Sequence, residues 1–340
     1  MFRRHYRRHT NIVFVIFRLL LSVVMFAALL GGVYSAYKHF SSLDPVKLDP
    51  QQVLSEALKG KMPKQLLTLL SSVKLTQGIS TKINQKVLGE TNVIPQANLE
   101  KGGFKFLLVA DSHNDNANLA KAIFQAKQKY PSLSFIIGLG DYTNVGTLGE
   151  LQAAKAELDR SSLRYFVVAG DHDLWDARDK GLDPQANFKQ IFGPFFQSFT
   201  YQNFKFLLLD NSDNYKGLGE DQQKWITGEL EKLNSAGLKG LFVFIHEPLY
   251  HPASDHYMGR VEKNLKAQAE GLIFQLRGVG VKKIFSGDIH YFSEYEEPVT
   301  KVSMVTIGAI TEDRNPQAPR YGVFTVFEDG SSKVEDIEIK

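Results

Sequence analysis

The sequence predicts an α/β domain in which polar, metal-capable side chains emerge from one end of a buried sheet, and three observations carry the prediction. The runs F-K-F-L-L-V-A, L-S-F-I-I-G-L, L-R-Y-F-V-V-A, G-L-F-V-F-I and K-K-I-F-S are short, apolar and rich in β-branched or aromatic residues, and each ends in a turn, as buried strands do. Each run also stops at an acid or an imidazole: D-S-H at Asp111 to His113, G-D at Gly140 and Asp141, G-D-H-D at Gly170 to Asp173, a lone His246, and G-D-I-H at Gly287 to His290. Stretches with helical spacing separate several of the runs, from Asn116 to Lys129, from about Glu220 to Asn234, and after Val261 at Leu265, Leu272, Ile273 and Leu276.

Composition sets the outer limits. At 340 residues, 43% hydrophobic and 23% charged, the chain can hold one sizeable domain with appendages. Its net charge is +3, part of it from Arg3, Arg4, Arg7 and Arg8. The remainder is nearly balanced, so the basic stripe of a nucleic-acid binder is missing and no nucleic-acid partner is expected. Cysteine is absent, which excludes disulfides, thiolate nucleophiles and Cys-type zinc sites.

Residues 1–10 form a basic tail, and residues 11–37 are almost continuously apolar, with Arg18 the interruption and no charge from Leu19 to Tyr37. At about 1.5 Å per helical residue that stretch matches a hydrocarbon core roughly 30 Å thick. A cleaved signal peptide is the competing reading, with Val33, Ser35 and Ala36 as a weak small-residue site, although its apolar core would exceed the usual range of about 7 to 15 residues. A buried soluble helix is the third. The arginines favour a cytoplasmic N-terminus, so the expectation is a single-pass anchor in the cell membrane with everything after Lys38 outside the cytoplasm. Residues 38–102 read as a helical stalk or lead-in: Asp44-Pro45 and Asp49-Pro50 punctuate its start, and the apolar spacing from Gln51 to Ser72 suits one or two amphipathic helices broken near Gly60 and Pro63. Packing on the following domain is the plain reading, with self-association or membrane-surface contact as the alternative.

The domain expected over residues 103–340 carries the chemistry. A D-x-H just past a strand can aim both side chains at one point, yet alone it is weak, because Asp and His are common in turns. A bare G-D is most often a turn, and a lone histidine at a strand end is more often a satisfied polar residue than a ligand. Gly170-Asp171-His172-Asp173 is less ordinary: two acids in one site with no Lys or Arg beside them are best explained by a cation. The run from Met304 to Gly308 and the alternating Tyr321 to Phe327 and Lys333 to Ile339, joined through Asp329-Gly330, read as closing strands with a hairpin.

Taken together, the blocks resemble the calcineurin-like metallophosphoesterase superfamily, whose pattern is D-x-H, G-D, G-N-H-D/E, H and G-H-x-H in that order, each at a strand end. The resemblance covers Phe104 to Lys340. It implies two packed mixed β-sheets flanked by helices, a four-layer fold, with two divalent metal ions at the sheet edge and a phosphate ester as substrate. It further implies that Asp111, His113 and His290 hold the first metal, that Asp141 bridges both, and that His246 holds the second with Asp171 and Asp288. His172 matches the histidine that assists the leaving group, and Asp173 the acid that orients it. The implied chemistry is in-line attack on phosphorus by a metal-bound hydroxide.

Two positions depart from the pattern: Asp171 stands in place of asparagine and Asp288 in place of the first histidine of the last block. Asp111, Asp141, Asp171 and Asp288 would then cancel two divalent ions before any substrate arrives, and a neutral site is a poorer Lewis acid. The oxygen-rich second position suits Mn²⁺ or Mg²⁺ better than Zn²⁺, and Fe³⁺ would restore the charge. Asn144, His251 and His256 are secondary candidates for the pocket, while Trp175 and Trp225 read as packing residues. The expectation is a membrane-anchored metal-dependent phosphoesterase, with a catalytically silent metal-containing binding module, or a nuclease of the same fold, as the alternatives. The sequence leaves the oligomeric state open.

Overall fold

The computed structural model describes residues 103–233 and 237–340. The basic tail, the anchor expected over 11–37 and the lead-in to residue 102 lie outside the described residues; among these, no helix is long and apolar enough to cross a membrane.

Alternation along β1 (Phe104–Val109) sets the layering. Phe106 and Leu108 turn to one core and Leu107 and Val109 to another, and all four are fully or almost fully buried. Successive strand residues point to opposite faces, so a strand covered on both sides needs an unbroken apolar run. β2 (Leu133–Gly138) repeats the division, sending Phe135 and Ile137 one way and Ile136 the other. With β3 (Tyr165–Val167), β10 (Arg320–Val326) and β11 (Ser332–Glu338) they form a sheet in the order β11-β10-β1-β2-β3, in which β1, β2 and β3 run parallel and β10 is antiparallel to both β1 and β11. The expected hairpin through Asp329-Gly330 is present as β10 and β11. The third run forms a shorter strand than its apolar length predicts, since only Tyr165 to Val167 pair with β2 at this edge of the sheet.

The second sheet has the order β4-β5-β6-β7-β9-β8. It comprises β4 (Gln197–Tyr201), β5 (Phe204–Leu208), β6 (Gly240–Phe244), β7 (Val281–Ser286), β8 (Ser293–Glu296) and β9 (Ser303–Thr306). Here β5, β6, β7 and β9 are parallel, with β4 and β8 antiparallel at the two edges. The sheets share a core dominated by phenylalanine: Phe106 lies 4.8 Å from Phe135 and 5.7 Å from Phe206, and Phe199 stacks on Phe206 at 4.6 Å. Such rings each bury a large area, which fills the space between two sheets.

Helices close the outer faces. On the first sheet, α1 (Asn116–Lys129) buries Leu119, Ala122, Ile123 and Ala126, and α2 (Leu148–Arg160) buries Leu151, Ala154 and Leu158. Two short helices, α3 (Trp175–Asp179) and α4 (Ala186–Phe192), extend this side, while α5 (Glu220–Leu233) and α6 (Leu265–Gly278) cover the second sheet. The result is the two mixed sheets flanked by helices that the family resemblance implies. α2 lies outside the elements expected from the sequence, although its start is written in a capping box: Thr147 Oγ1 accepts from Glu150 N–H, and Glu150 Oε2 accepts from Thr147 N–H.

Candidate metal centre

Five parallel strands deliver their C-terminal ends to one edge of the fold. Past β1 and β2, Asp111 N–H donates to Gly140 O (3.1 Å) and His113 N–H to Asp141 O (2.9 Å), tying those loops together. Past β6 and β7, Gly287 N–H donates to His246 O (3.0 Å). The ligand-type residues themselves hold left-handed backbone, with φ of 53° at Asp111, 41° at His113, 54° at Asp141, 67° at Asp288 and 60° at His290. Side-chain residues adopt that region at a cost of order 1–3 kcal/mol each, and such strain clusters at functional sites. It is also what lets residues two apart aim at one point. The glycines are there for space: a Cβ at Gly140 (φ 97°) would stand 2.5 Å from His246 Nδ1, and one at Gly170 would stand 2.0 Å from Asp141 Oδ1.

All seven expected metal positions are brought together. Asp111, His113, Asp141 and His290 form one group and Asp171, His246 and Asp288 another, the donor atoms of each lying within 4.8 Å of one another. Asp141 faces both groups, with Oδ2 at 3.5 Å from His113 Nε2 and Oδ1 at 3.6 Å from His246 Nε2. His246 Nε2 is in turn 3.8 Å from Asp171 Oδ1 and 3.9 Å from Asp288 Oδ1.

The donor set fits two cations. His246 Nδ1 is 2.7 Å from Leu139 O and His290 Nδ1 is 3.1 Å from Arg314 O; a carbonyl only accepts, so each ring keeps a proton at Nδ1 and turns inward Nε2, the nitrogen a cation would take in place of a proton. His246 Nε2 and Asp111 Oδ2 are buried without a hydrogen-bond partner. His113 Nε2 and His290 Nε2 lie 3.1 Å apart. Ligand bonds of about 2.0–2.1 Å would set two nitrogens on one ion about 3.0–3.4 Å apart.

The electrostatics point the same way. Burial pushes Asp111 up to about 6 and Asp141 well above the usual carboxylate range. Burial, reinforced by His172 and His290, drives His113 down to about 3. Burial also works against a charge on His246, yet Asp141, Asp171 and Asp288 hold it well above its ordinary value. Among the protein groups alone, a proton on His246 takes the place of the positive charge these acids demand.

His172 and Asp173 require a correction. The pairing expected between them is not made. Asp173 is fully buried, and it accepts from Thr143 N–H (3.1 Å), Thr143 Oγ1–H (2.8 Å) and Gly170 N–H (2.9 Å), which ties the second and third loops. The residue that orients His172 is Asn144, whose carbonyl accepts from Nδ1–H at 2.8 Å. His172 stacks on Trp175 with ring centroids 3.8 Å apart, and burial lowers its pKa. The two residues sit 31 and 32 positions from Asp141, but their backbone turns into a short 3₁₀ segment that sends consecutive side chains apart.

A cavity of about 480 Å³ opens beside the donor groups and is lined by His172, Trp175, Asn214, Glu247, Arg260 and Arg314 among others. His256 lines it too, with Nδ1 3.3 Å from Asp288 Oδ2. His251 does not: it is buried, with Nε2 2.9 Å from Ser293 Oγ. Trp175 therefore belongs to the pocket as well as to packing, and Arg260 and Arg314 are pocket residues with no periodic or motif signal in the sequence, being isolated arginines in loops.

Residues 104–292 match the family model for the calcineurin-like phosphoesterases. Purple acid phosphatase 1 from Ipomoea batatas is 34% identical over 115 residues, which make up 33% of this chain and only 22% of that protein's length. Among solved structures, a dimetal phosphatase from Danio rerio matches 70% of this chain and 100% of its own with a TM-score of 0.53 at 17% identity. A purple acid phosphatase from yellow lupin (Lupinus luteus) seeds matches 70% of this chain and 52% of its own, also with a TM-score of 0.53, at 13% identity. At those identities the two structures share the fold.

Proposed function

We propose that this chain, which belongs to the calcineurin-like phosphoesterase family, hydrolyses phosphate esters at two divalent metal ions. One would be held by Asp111, His113, Asp141 and His290, the other by Asp141, Asp171, His246 and Asp288. The single observation that carries the reading is Asp141, whose two carboxylate oxygens face the two donor groups. When bound, such ions supply Lewis acidity toward phosphoryl oxygens and make a water-derived nucleophile available near neutral pH.

The protein groups supply the remaining functions. Arg260 and Arg314 give the cavity permanent positive charge for an incoming phosphate. His172, fixed by Nδ1–H on Asn144 O, keeps Nε2 for the leaving-group oxygen and acts as general acid from its imidazolium form, passing the Nε2 proton and returning to neutral imidazole; burial disfavours that form, so the role weakens as pH rises. The oxygen-rich second group favours Mn²⁺, with Mg²⁺, Fe and Zn²⁺ as the alternatives.

The chain is further proposed to sit in the cell membrane through residues 11–37, with residues 103–340 outside the cytoplasm. The uncharged stretch from Leu19 to Tyr37 and the arginines before it support this. Protease added to intact cells should then remove the domain.

The functional test uses the full-length protein stripped of metal and reloaded with Mn²⁺, Mg²⁺, Zn²⁺ or Fe. Phosphate release from an aryl phosphate is followed while bound metal is counted. Turnover with two ions per chain is expected; one ion or none, with no turnover under any loading, would make the domain a silent binding module instead.

A further inference from the structure

Besides the metal-facing His246 Nε2, the cavity beside the donor groups is lined by two residues, Glu247 and Asn214, that each carry an oxygen the fold leaves unpaired. Glu247 is 7% exposed, lines the cavity and belongs to neither donor group, and its Oε2 is buried without a hydrogen-bond partner. Its place is fixed by Asn211, whose Oδ1 accepts from Glu247 N–H (3.0 Å) and whose Nδ2–H donates to Glu247 O (2.7 Å). Asn214, on the loop after β5, lines the same cavity with Nδ2 3.4 Å from Asp171 Oδ2. A carboxylate accepts, so the amide nitrogen must face Asp171, and Asn214 Oδ1 is the atom left over. That oxygen too is buried and unpartnered. Native proteins keep few such atoms, and one that lines a reaction site is placed to meet a ligand group or an ordered water.

We infer that Glu247 and Asn214 form a subsite for the alcohol part of the substrate, and that this alcohol carries hydroxyl groups besides the esterified one, as a polyol or sugar phosphate does. The inference rests on the phosphoesterase reading above. A hydroxyl both donates and accepts, so one hydroxyl satisfies the Glu247 carboxyl in either protonation state while a second donates to Asn214 Oδ1. An ammonium-bearing alcohol fits less well, because Arg260 and Arg314 line the same cavity and repel a cation. An apolar alcohol would leave both oxygens unpaired. The cavity, about 480 Å³, lies within the range of about 300–1,000 Å³ common to small-molecule sites.

The test compares glycerol 3-phosphate with propyl phosphate, which lacks its two free hydroxyls, on the full-length Mn²⁺-loaded protein. Phosphate release gives kcat/KM, and calorimetry gives Kd for each ligand independently of turnover. Glycerol 3-phosphate should be favoured at least about tenfold in both measures, the scale of a hydrogen bond to a charged group. In Glu247→Leu, and separately in Asn214→Leu, the ratio should fall to within about threefold, while Glu247→Gln, which keeps an oxygen and the side-chain shape, retains part of it. A wild-type ratio near one would assign the two oxygens to bound water and overturn the subsite, as would a ratio that survives both leucine variants. Discrimination in Kd without turnover of either ester would sink the esterase reading and leave the subsite standing; turnover of both esters without discrimination would do the reverse.

Discussion

Gly170→Ala is the smallest change that should disable the site without touching a ligand. Gly170 lies outside the left-handed region, so the obstacle to alanine is space. The added Cβ would lie 2.0 Å from Asp141 Oδ1 and 2.3 Å from Asp141 N, where ordinary contact begins at 3.4 Å. Asp141 or the loop must therefore move by more than about 1 Å, and overpacking of that kind costs about 1–3 kcal/mol. The oxygen displaced is the one that faces His246 at 3.6 Å and accepts from His172 N–H at 3.0 Å. Misplacing a reacting group by about 1 Å can cost about 100-fold, so kcat/KM on an aryl phosphate should drop by at least that factor, with a fall in bound metal. The matched control is Gly149→Ala in α2, where a Cβ has nothing within 4 Å; it should keep full activity and gain up to about 1 kcal/mol from helix propensity. Steady-state kinetics, metal counting and calorimetric melting read all three quantities. If Gly170→Ala keeps kcat/KM within about threefold, the packing of the third loop against Asp141, and the shared role of Asp141 with it, is wrong.

Three further outcomes are expected. His172→Ala should slow alkyl esters more than activated aryl esters, whereas Asp173→Asn should leave that ratio as in the wild type, because Asp173 bonds Thr143 and Gly170 and not the imidazole; a ratio altered equally by both changes would restore the pairing rejected above. Asp171→Asn combined with Asp288→His should move metal preference toward Zn²⁺, read by competition between Mn²⁺ and Zn²⁺, and an unchanged preference would refute the softness argument. Burial works against a charge on Glu229, but Lys205, Lys232 and Ser198 hold its pKa at about 2. A depressed carboxyl stabilises above its unfolded pKa of about 4.3, and the benefit disappears as pH falls toward the folded value. Glu229→Gln should therefore lower stability by about 1–2 kcal/mol at pH 7 and progressively less below about pH 4; a gap in melting temperature that stays constant with pH would refute it.

What could be read from the sequence was what local pattern encodes. Strands buried on both faces must be continuous apolar runs, so β1, β2, β6 and β7 are visible as such, and the acids and imidazoles just beyond them mark the sheet edge. β4 and β8 are edge strands with exposed or half-buried positions, Gln197 and Ser198 in one and Glu294 and Glu296 in the other, so their runs are broken. Side-chain partnerships were the least legible. Neighbours in sequence such as His172 and Asp173 part company in space, while Asn144 reaches His172 across 28 positions, and no spacing rule foretells either.

The charge balance shows why that gap matters for chemistry. Counted along the chain, four carboxylates cancel two divalent ions and leave nothing to attract a phosphate. The fold adds what the motif blocks omit. Arg260 comes from the loop after β6 and Arg314 from the loop after β9, and both line the cavity the ions would share. Arginine cannot lose its proton in a protein, so these charges persist at any working pH, unlike those of His172 or His256. Both guanidiniums are also exposed, where screening acts over about 8 Å at physiological salt, so their pull is on the approaching substrate more than on the bound one. On the proposed reading, an acid-rich metal site and a cationic rim would divide the work: the carboxylates would hold the ions, and the arginines would supply the excess positive charge that the ions, once neutralised, no longer provide.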